Sequence, residues 1–75
     1  MNNPNNLIDI GYGSMLNSGR IIAVIVAGTA PVKRITATAK EKNLLVDASC
    51  GKKTKTVYIM DSGHVILSAK EVKGV

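Results

Sequence analysis

Three lysines fall within four residues in the stretch Cys50-Gly51-Lys52-Lys53-Thr54-Lys55. Leu44-Leu45-Val46 precedes this stretch and Val57-Tyr58-Ile59-Met60 follows it. Two apolar runs around a short Gly-containing segment predict a hairpin-like tip between two strands. Like charges held this close repel, and lysines in water stay protonated, so the tip is poorly equipped for proton transfer. Its chemistry is electrostatic: it can attract a polyanion, and nucleic-acid backbone is the first partner to consider.

The other reactive residues do not assemble into a known chemistry. Gly11-Tyr12-Gly13 starts like a dinucleotide fingerprint, but Leu16 stands where the third glycine belongs and no helix follows. Gly51-Lys52 before Thr54 hints at a phosphate loop, yet Val46 occupies the upstream glycine position and Lys53 separates Lys52 from the threonine. His64 follows a turn and is expected to make an ordinary hydrogen bond there. Asp47 is expected to form a structural ion pair with Arg20 or Lys55. Cys50 has no second cysteine to resolve an oxidised form. Cys50 and His64 also lack ligand-type neighbours at metal spacing, so no metal and no cofactor are expected. The chain reads as a binding protein with no small-molecule substrate, not as an enzyme.

Seventy-five residues make one domain near the lower size limit for an independent core. Without Phe or Trp, and with tyrosine only at positions 12 and 58, that core must come from Ile, Val, Leu, Ala and Met. Small chains add disulfides, a metal or self-association. The single cysteine excludes an internal disulfide, so a homo-oligomer is expected. Ten Lys/Arg against five Asp/Glu give a formal charge of +5, which favours anionic partners. Ile21-Ile22-Ala23-Val24-Ile25-Val26-Ala27 is shorter than the roughly 20 residues a bilayer-spanning helix needs. Met1-Asn2-Asn3-Pro4-Asn5-Asn6 carries no signal-peptide pattern, and a lone cysteine suits a reducing compartment. A cytoplasmic protein without membrane attachment is expected.

Periodicity gives the order strand, strand, helix, strand, strand, strand: an α+β domain with a small five-stranded, mainly antiparallel sheet and one helix. The strands are expected at Leu7–Tyr12, Arg20–Val26, Leu44–Ala48, Thr54–Met60 and His64–Ala69. The run through Val26 reads as buried on both faces or as an oligomer contact. Asn17-Ser18-Gly19 and Asp61-Ser62-Gly63 carry turn chemistry. The helix is expected over Pro31–Lys42, with Thr29 as cap and Asn43 in the left-handed conformation past its end. Val32, Ile35 and Ala39 share one helical face beside Thr36. The basic residues Lys33, Arg34, Lys40 and Lys42 are scattered around the remainder. A groove-reading helix would gather them, so this helix is scaffold. Residues 1–6 read as a disordered N-terminal tail, 7–69 as the domain and 70–75 as a C-terminal tail.

This order of elements resembles the RemA-like family of small bacterial regulators. The resemblance runs through Ile10-Gly11-Tyr12-Gly13, Arg20-Ile21-Ile22, Ala30-Pro31-Val32-Lys33-Arg34 and Asn43-Leu44-Leu45-Val46-Asp47-Ala48. It continues in Gly51-Lys52-Lys53-Thr54-Lys55 and in Ile59-Met60-Asp61-Ser62-Gly63-His64-Val65-Ile66-Leu67-Ser68-Ala69. It implies a ring-forming DNA-binding protein that regulates transcription of extracellular-matrix (biofilm) genes, with Arg20 and the pair Lys52-Lys53 as DNA contacts. Lys55, Lys33 and Arg34 are secondary candidates. Relatives often carry Arg-Arg where this chain has Lys52-Lys53, and an aromatic where it has Cys50. Lysine keeps the phosphate attraction but not the planar bidentate contact of arginine.

The expected partners are therefore double-stranded DNA and further copies of the chain. Two alternatives stand beside this: a ring that binds RNA, and an assembly module whose basic loops dock an acidic protein. Few aromatics are available to stack single-stranded bases, which weighs against RNA. If the strands flanking the helix run parallel, Arg20 and the lysine tip lie at opposite sheet ends. Only an assembly could then join them into one surface.

Overall fold

The computed structural model describes residues 6–71. Most of both expected tails lies outside these residues. In chain order the elements are β1 (Leu7–Gly11), β2 (Ser14–Asn17), a 3-10 turn (Ser18–Arg20), β3 (Ile21–Val26), α1 (Ala30–Glu41), β4 (Leu45–Asp47), β5 (Thr56–Met60) and β6 (Val65–Ser68). The domain is α+β with one helix, as expected. It has six strands in two sheets, however, not five in one.

β1 and β2 form a separate antiparallel hairpin, while the main sheet has the order β3-β5-β6-β4. The additional strand, β2, arises because Gly11, Tyr12 and Gly13 all adopt positive φ, which reverses the chain within three residues. Asn17 accepts a hydrogen bond from the Gly19 amide, so the expected turn follows β2. In the main sheet β3 and β6 each run antiparallel to β5, and β4 runs parallel to β6. Consequently β3, β4 and β6 point the same way.

The helix covers one face of this sheet and the hairpin the other. On the helix side Val32 and Ala39 are buried with Val57 and Val65, and Ile35, Leu44 and Leu45 pack around them. This is the face given by helical spacing. Thr36 satisfies its hydroxyl by donating to the Val32 carbonyl at 2.9 Å. Asn43 takes φ 59° just past the helix, and the Leu44 amide returns to the Ala39 carbonyl at 2.8 Å. Thr29 occupies the N-cap position but makes no side-chain capping bond, contrary to the expected cap, and Pro31 stands in the first turn. The Thr29 backbone carbonyl is what receives the Val32 amide, at 3.2 Å.

On the hairpin side Ile10, Tyr58 and Ile66 are buried. The hairpin is fastened by Ser68, whose hydroxyl is fully buried and donates to the Ile10 carbonyl at 2.5 Å. Lys70 adds a second tie, donating to the Asp9 carbonyl at 3.2 Å.

The expectation that β3 is buried on both faces does not hold within the chain. β3 is an edge strand, and Ile22, Val24 and Val26 are exposed. The hairpin is only two strands wide and covers the centre of the sheet. Across one row, Val24 pairs with Tyr58, Tyr58 with Ile66 and Ile66 with Val46. The two central residues are 5% and 6% exposed, whereas Val24 and Val46 at the opposite edges are 42% and 45% exposed.

Candidate nucleic-acid interface

The loop from Ala48 to Lys55 is shaped by local bonds before it meets anything. Asp47 accepts from both the Ser49 amide, at 3.0 Å, and the Ser49 hydroxyl, at 2.5 Å. These two bonds hold its carboxyl below the usual carboxylate range. Asp47 is thus engaged by Ser49, not by Arg20 or Lys55 as expected. The physical reason is proximity: an Asx-type turn two residues away satisfies the carboxylate without ordering a long cation. Cys50 then adopts φ 55° and Gly51 φ 78°, and the Lys52 amide closes the turn onto the Ser49 carbonyl at 3.0 Å.

Lys52 and Lys53 are carried out on this turn, and both are exposed. Lys55 is also exposed, but its backbone is already in the sheet. Its amide donates to the Ser68 carbonyl at 2.8 Å and its carbonyl accepts from Ala27 at 3.0 Å. The tip is therefore short and anchored directly on β3 and β6; it is not the expected hairpin, because β6 lies between β4 and β5 and the segment crosses over it. Lys33 faces it from the helix: Lys33 and Lys53 line one open groove of about 480 Å³ with an apolar floor that includes Val32 and Leu45. Arg34 is exposed on the helix and does not line this groove.

Tyr12 comes to the same end of the molecule. The Lys52 ammonium lies 5.9 Å from the centre of its ring, within reach of a cation–π interaction. Sequence reasoning did not place Tyr12 in the site. The only signal was the pair of glycines around it, which permit a sharp reversal but do not say what the reversal approaches.

Arg20 stands apart. It ends the turn before β3, while Lys52 and Lys53 follow β4, and both strands point the same way. The six residues of β3 put the two sites about 20 Å apart along the sheet. Arg20 donates to Asp61 at 3.0 Å, and the Asp61 amide donates back to the Arg20 carbonyl at 2.8 Å. Both side chains are substantially exposed, so the pair is an oriented surface contact. Beside it, Ser62 Oγ lies 2.6 Å from His64 Nδ1, the ordinary turn contact expected for that histidine. The neighbouring carboxylate, Asp61, is held by Arg20.

Among the described residues the ion pairs are Arg20–Asp61 and Lys70–Asp9. The lysine end thus holds unneutralised Lys33, Lys52, Lys53 and Lys55. Among the described residues no group of three or more His, Cys, Asp or Glu could hold a metal ion, and no helix is long and apolar enough to cross a membrane.

This architecture can be set beside known proteins. The pattern of the RemA-like family, described as Extracellular matrix regulatory protein A-like, matches residues 7–75. A relative from Dictyoglomus turgidum is 51% identical over 63 residues, covering 84% of this chain and 74% of its own. One from Synechococcus sp. (strain JA-3-3Ab) is 52% identical over 63 residues, covering 84% of this chain and 71% of its own. One from Brevibacillus brevis is 51% identical over 63 residues, with 84% and 73% covered. The first two carry the name "Putative regulatory protein", and the third the same words followed by a locus label. With nearly the whole chain matched and half of the aligned residues identical, the protein belongs to the RemA-like family of regulatory proteins.

Proposed function

We propose that this chain is a DNA-binding transcriptional regulator of extracellular-matrix genes that works as a homo-oligomeric ring in the cytoplasm. Its surface meets the duplex backbone through basic residues repeated from subunit to subunit. The observation that carries the reading is the gathering of Lys33, Lys52, Lys53 and Lys55 at one sheet end. The nearby carboxylates, Asp9 and Asp47, are already engaged by Lys70 and Ser49. Ammonium groups without carboxylate partners serve as point contacts to phosphate, which fix position without reading bases.

The opposed sites explain why assembly belongs to the function. One subunit offers Arg20 at one end and the lysine tip at the other. A head-to-tail arrangement brings one subunit's Arg20 toward its neighbour's tip, and repetition raises the effective concentration of weak contacts. The open sheet edges are where copies can join. Val24 and Val46 flank the same face on opposite edge strands, so a heterologous contact can join β3 of one copy to β4 of the next. If each joint adds the same rotation, the chain of copies closes into a ring.

The test is a native mass measurement of the intact chain, alone and with duplex DNA, single-stranded RNA or an acidic polypeptide. The reading requires an oligomer that binds the duplex most tightly and releases it steeply with salt. Stronger binding to RNA or to the polypeptide would replace it with the corresponding alternative.

A further inference from the structure

Tyr12 is held in a strained conformation although about half of the residue is exposed. Its φ is 55°, in the left-handed region that aromatic residues seldom occupy, and the residue is 53% exposed. Gly11 and Gly13 on either side are also at positive φ, at 96° and 82°. Asn or Gly would fit the central position with less strain. Strained residues that persist in the open point to a use for the side chain.

The surroundings bear on that use. The hairpin behind Tyr12 is anchored: Asp9 accepts from the Gly11 amide at 2.7 Å, Ser68 holds Ile10, and Lys70 packs its Cβ against Gly11. The ring is therefore presented on a fixed support. One face of it meets the Lys52 ammonium at 5.9 Å, and Lys52 belongs to the exposed tip. An aromatic face beside a cation without a carboxylate partner matches the paired needs of a nucleotide, whose phosphate is charged and whose sugar C–H groups and base π-face can lie against a ring.

We infer that Tyr12 is a nucleic-acid contact: its ring packs on the sugar or base adjoining the phosphate that Lys52 engages. This rests on the DNA-binding reading above and deepens it, by adding an apolar contact to a surface otherwise made of cations. When Lys52 turns to a phosphate, it leaves the ring face it occupies in the free protein, and the nucleotide takes that place. An aromatic contact of this kind adds affinity without neutralising charge, so its loss leaves the salt dependence untouched.

The experiment uses the intact chain and three forms: the parent, Tyr12→Phe and Tyr12→Asn. Binding to one mixed-sequence DNA duplex is titrated across a salt series, and thermal stability is measured in parallel. Tyr12→Asn is expected to melt no lower than the parent, because asparagine accepts the left-handed conformation. It is also expected to bind about tenfold more weakly with the same salt slope, while Tyr12→Phe binds like the parent. The chain has no tryptophan, so its fluorescence comes from Tyr12 and the buried Tyr58. The duplex is expected to quench that emission in the parent and not in Tyr12→Asn. Parental affinity and slope in Tyr12→Asn would overturn the inference and leave the DNA reading standing. A flattened slope without loss of quenching would also overturn it, because Tyr12 would then only position Lys52. Failure of the parent to bind duplex at all would remove the DNA reading and the inference together.

Discussion

Arg20 and Asp61 lie 3.0 Å apart at the sheet end opposite the lysine tip, and both are exposed enough to exchange partners. Exposed pairs of this kind contribute little to folding. Asp61→Ala is therefore expected to change stability by no more than about 0.5 kcal/mol. It removes a negative charge beside a proposed DNA contact, so duplex affinity should rise about two- to fivefold, a surface charge effect of about 0.5–1 kcal/mol. Arg20→Ala should weaken binding and flatten its salt dependence. Unchanged affinity in both variants, measured by fluorescence anisotropy, would take Arg20 out of the interface.

Apolar residues at two depths separate folding from assembly. Ile35 packs against the buried Val32–Ala39 cluster, so Ile35→Asp places an unpaired charge under the helix and should cost several kcal/mol. Lys40→Ala, on the exposed part of the helix, should cost about 0.5 kcal/mol at most. Val24→Glu lies between these cases. Its side chain stands on an open sheet edge, so the domain should retain its circular dichroism while the oligomer falls apart. Sedimentation of Val24→Glu at the parental size would show that the β3 edge is not the joint.

Tyr58 supplies a dependence on alkaline pH. Burial raises its pKa above the ordinary 10.0, because the charged phenolate is disfavoured under the hairpin. The folded chain then holds the proton to higher pH than the unfolded one. The associated stability is complete below pH 10 and is lost as pH rises through the folded pKa. Tyr58→Phe should fold and should lack this alkaline component. Denaturant midpoints measured from pH 8 to beyond 10 compare the two chains, and equal alkaline losses would assign the effect to other groups.

Local signals were the legible ones. The spacing of Val32, Ile35 and Ala39 gave the buried helix face, Asn43 gave the helix end, and the clustered lysines gave the exposed tip. Each depends on residues close together in the chain. The remainder depends on contacts between distant segments. Ser14-Met15-Leu16-Asn17 is too short to announce β2, whose existence follows from the reversal at Tyr12. The Ile21–Val26 run reads the same whether a strand is buried or lies at an edge. Asp47 was given the wrong partner because Ser49 was nearer than any cation. Arg20 meets Asp61 across 41 positions of sequence, and Tyr12 meets Lys52 only because the hairpin folds over the sheet.

The lysine tip tests the central claim most directly. Lys52 and Lys53 stand in solvent on a turn closed by backbone bonds, so Lys52→Ala with Lys53→Ala should change folding by no more than about 0.5 kcal/mol per substitution. The double variant should sediment like the parent and lose duplex binding at physiological salt. Where residual binding can be followed, each lost phosphate contact should flatten the slope of log K against log salt by about 0.9. An assembled double variant that binds duplex DNA with parental affinity and parental slope would contradict the account.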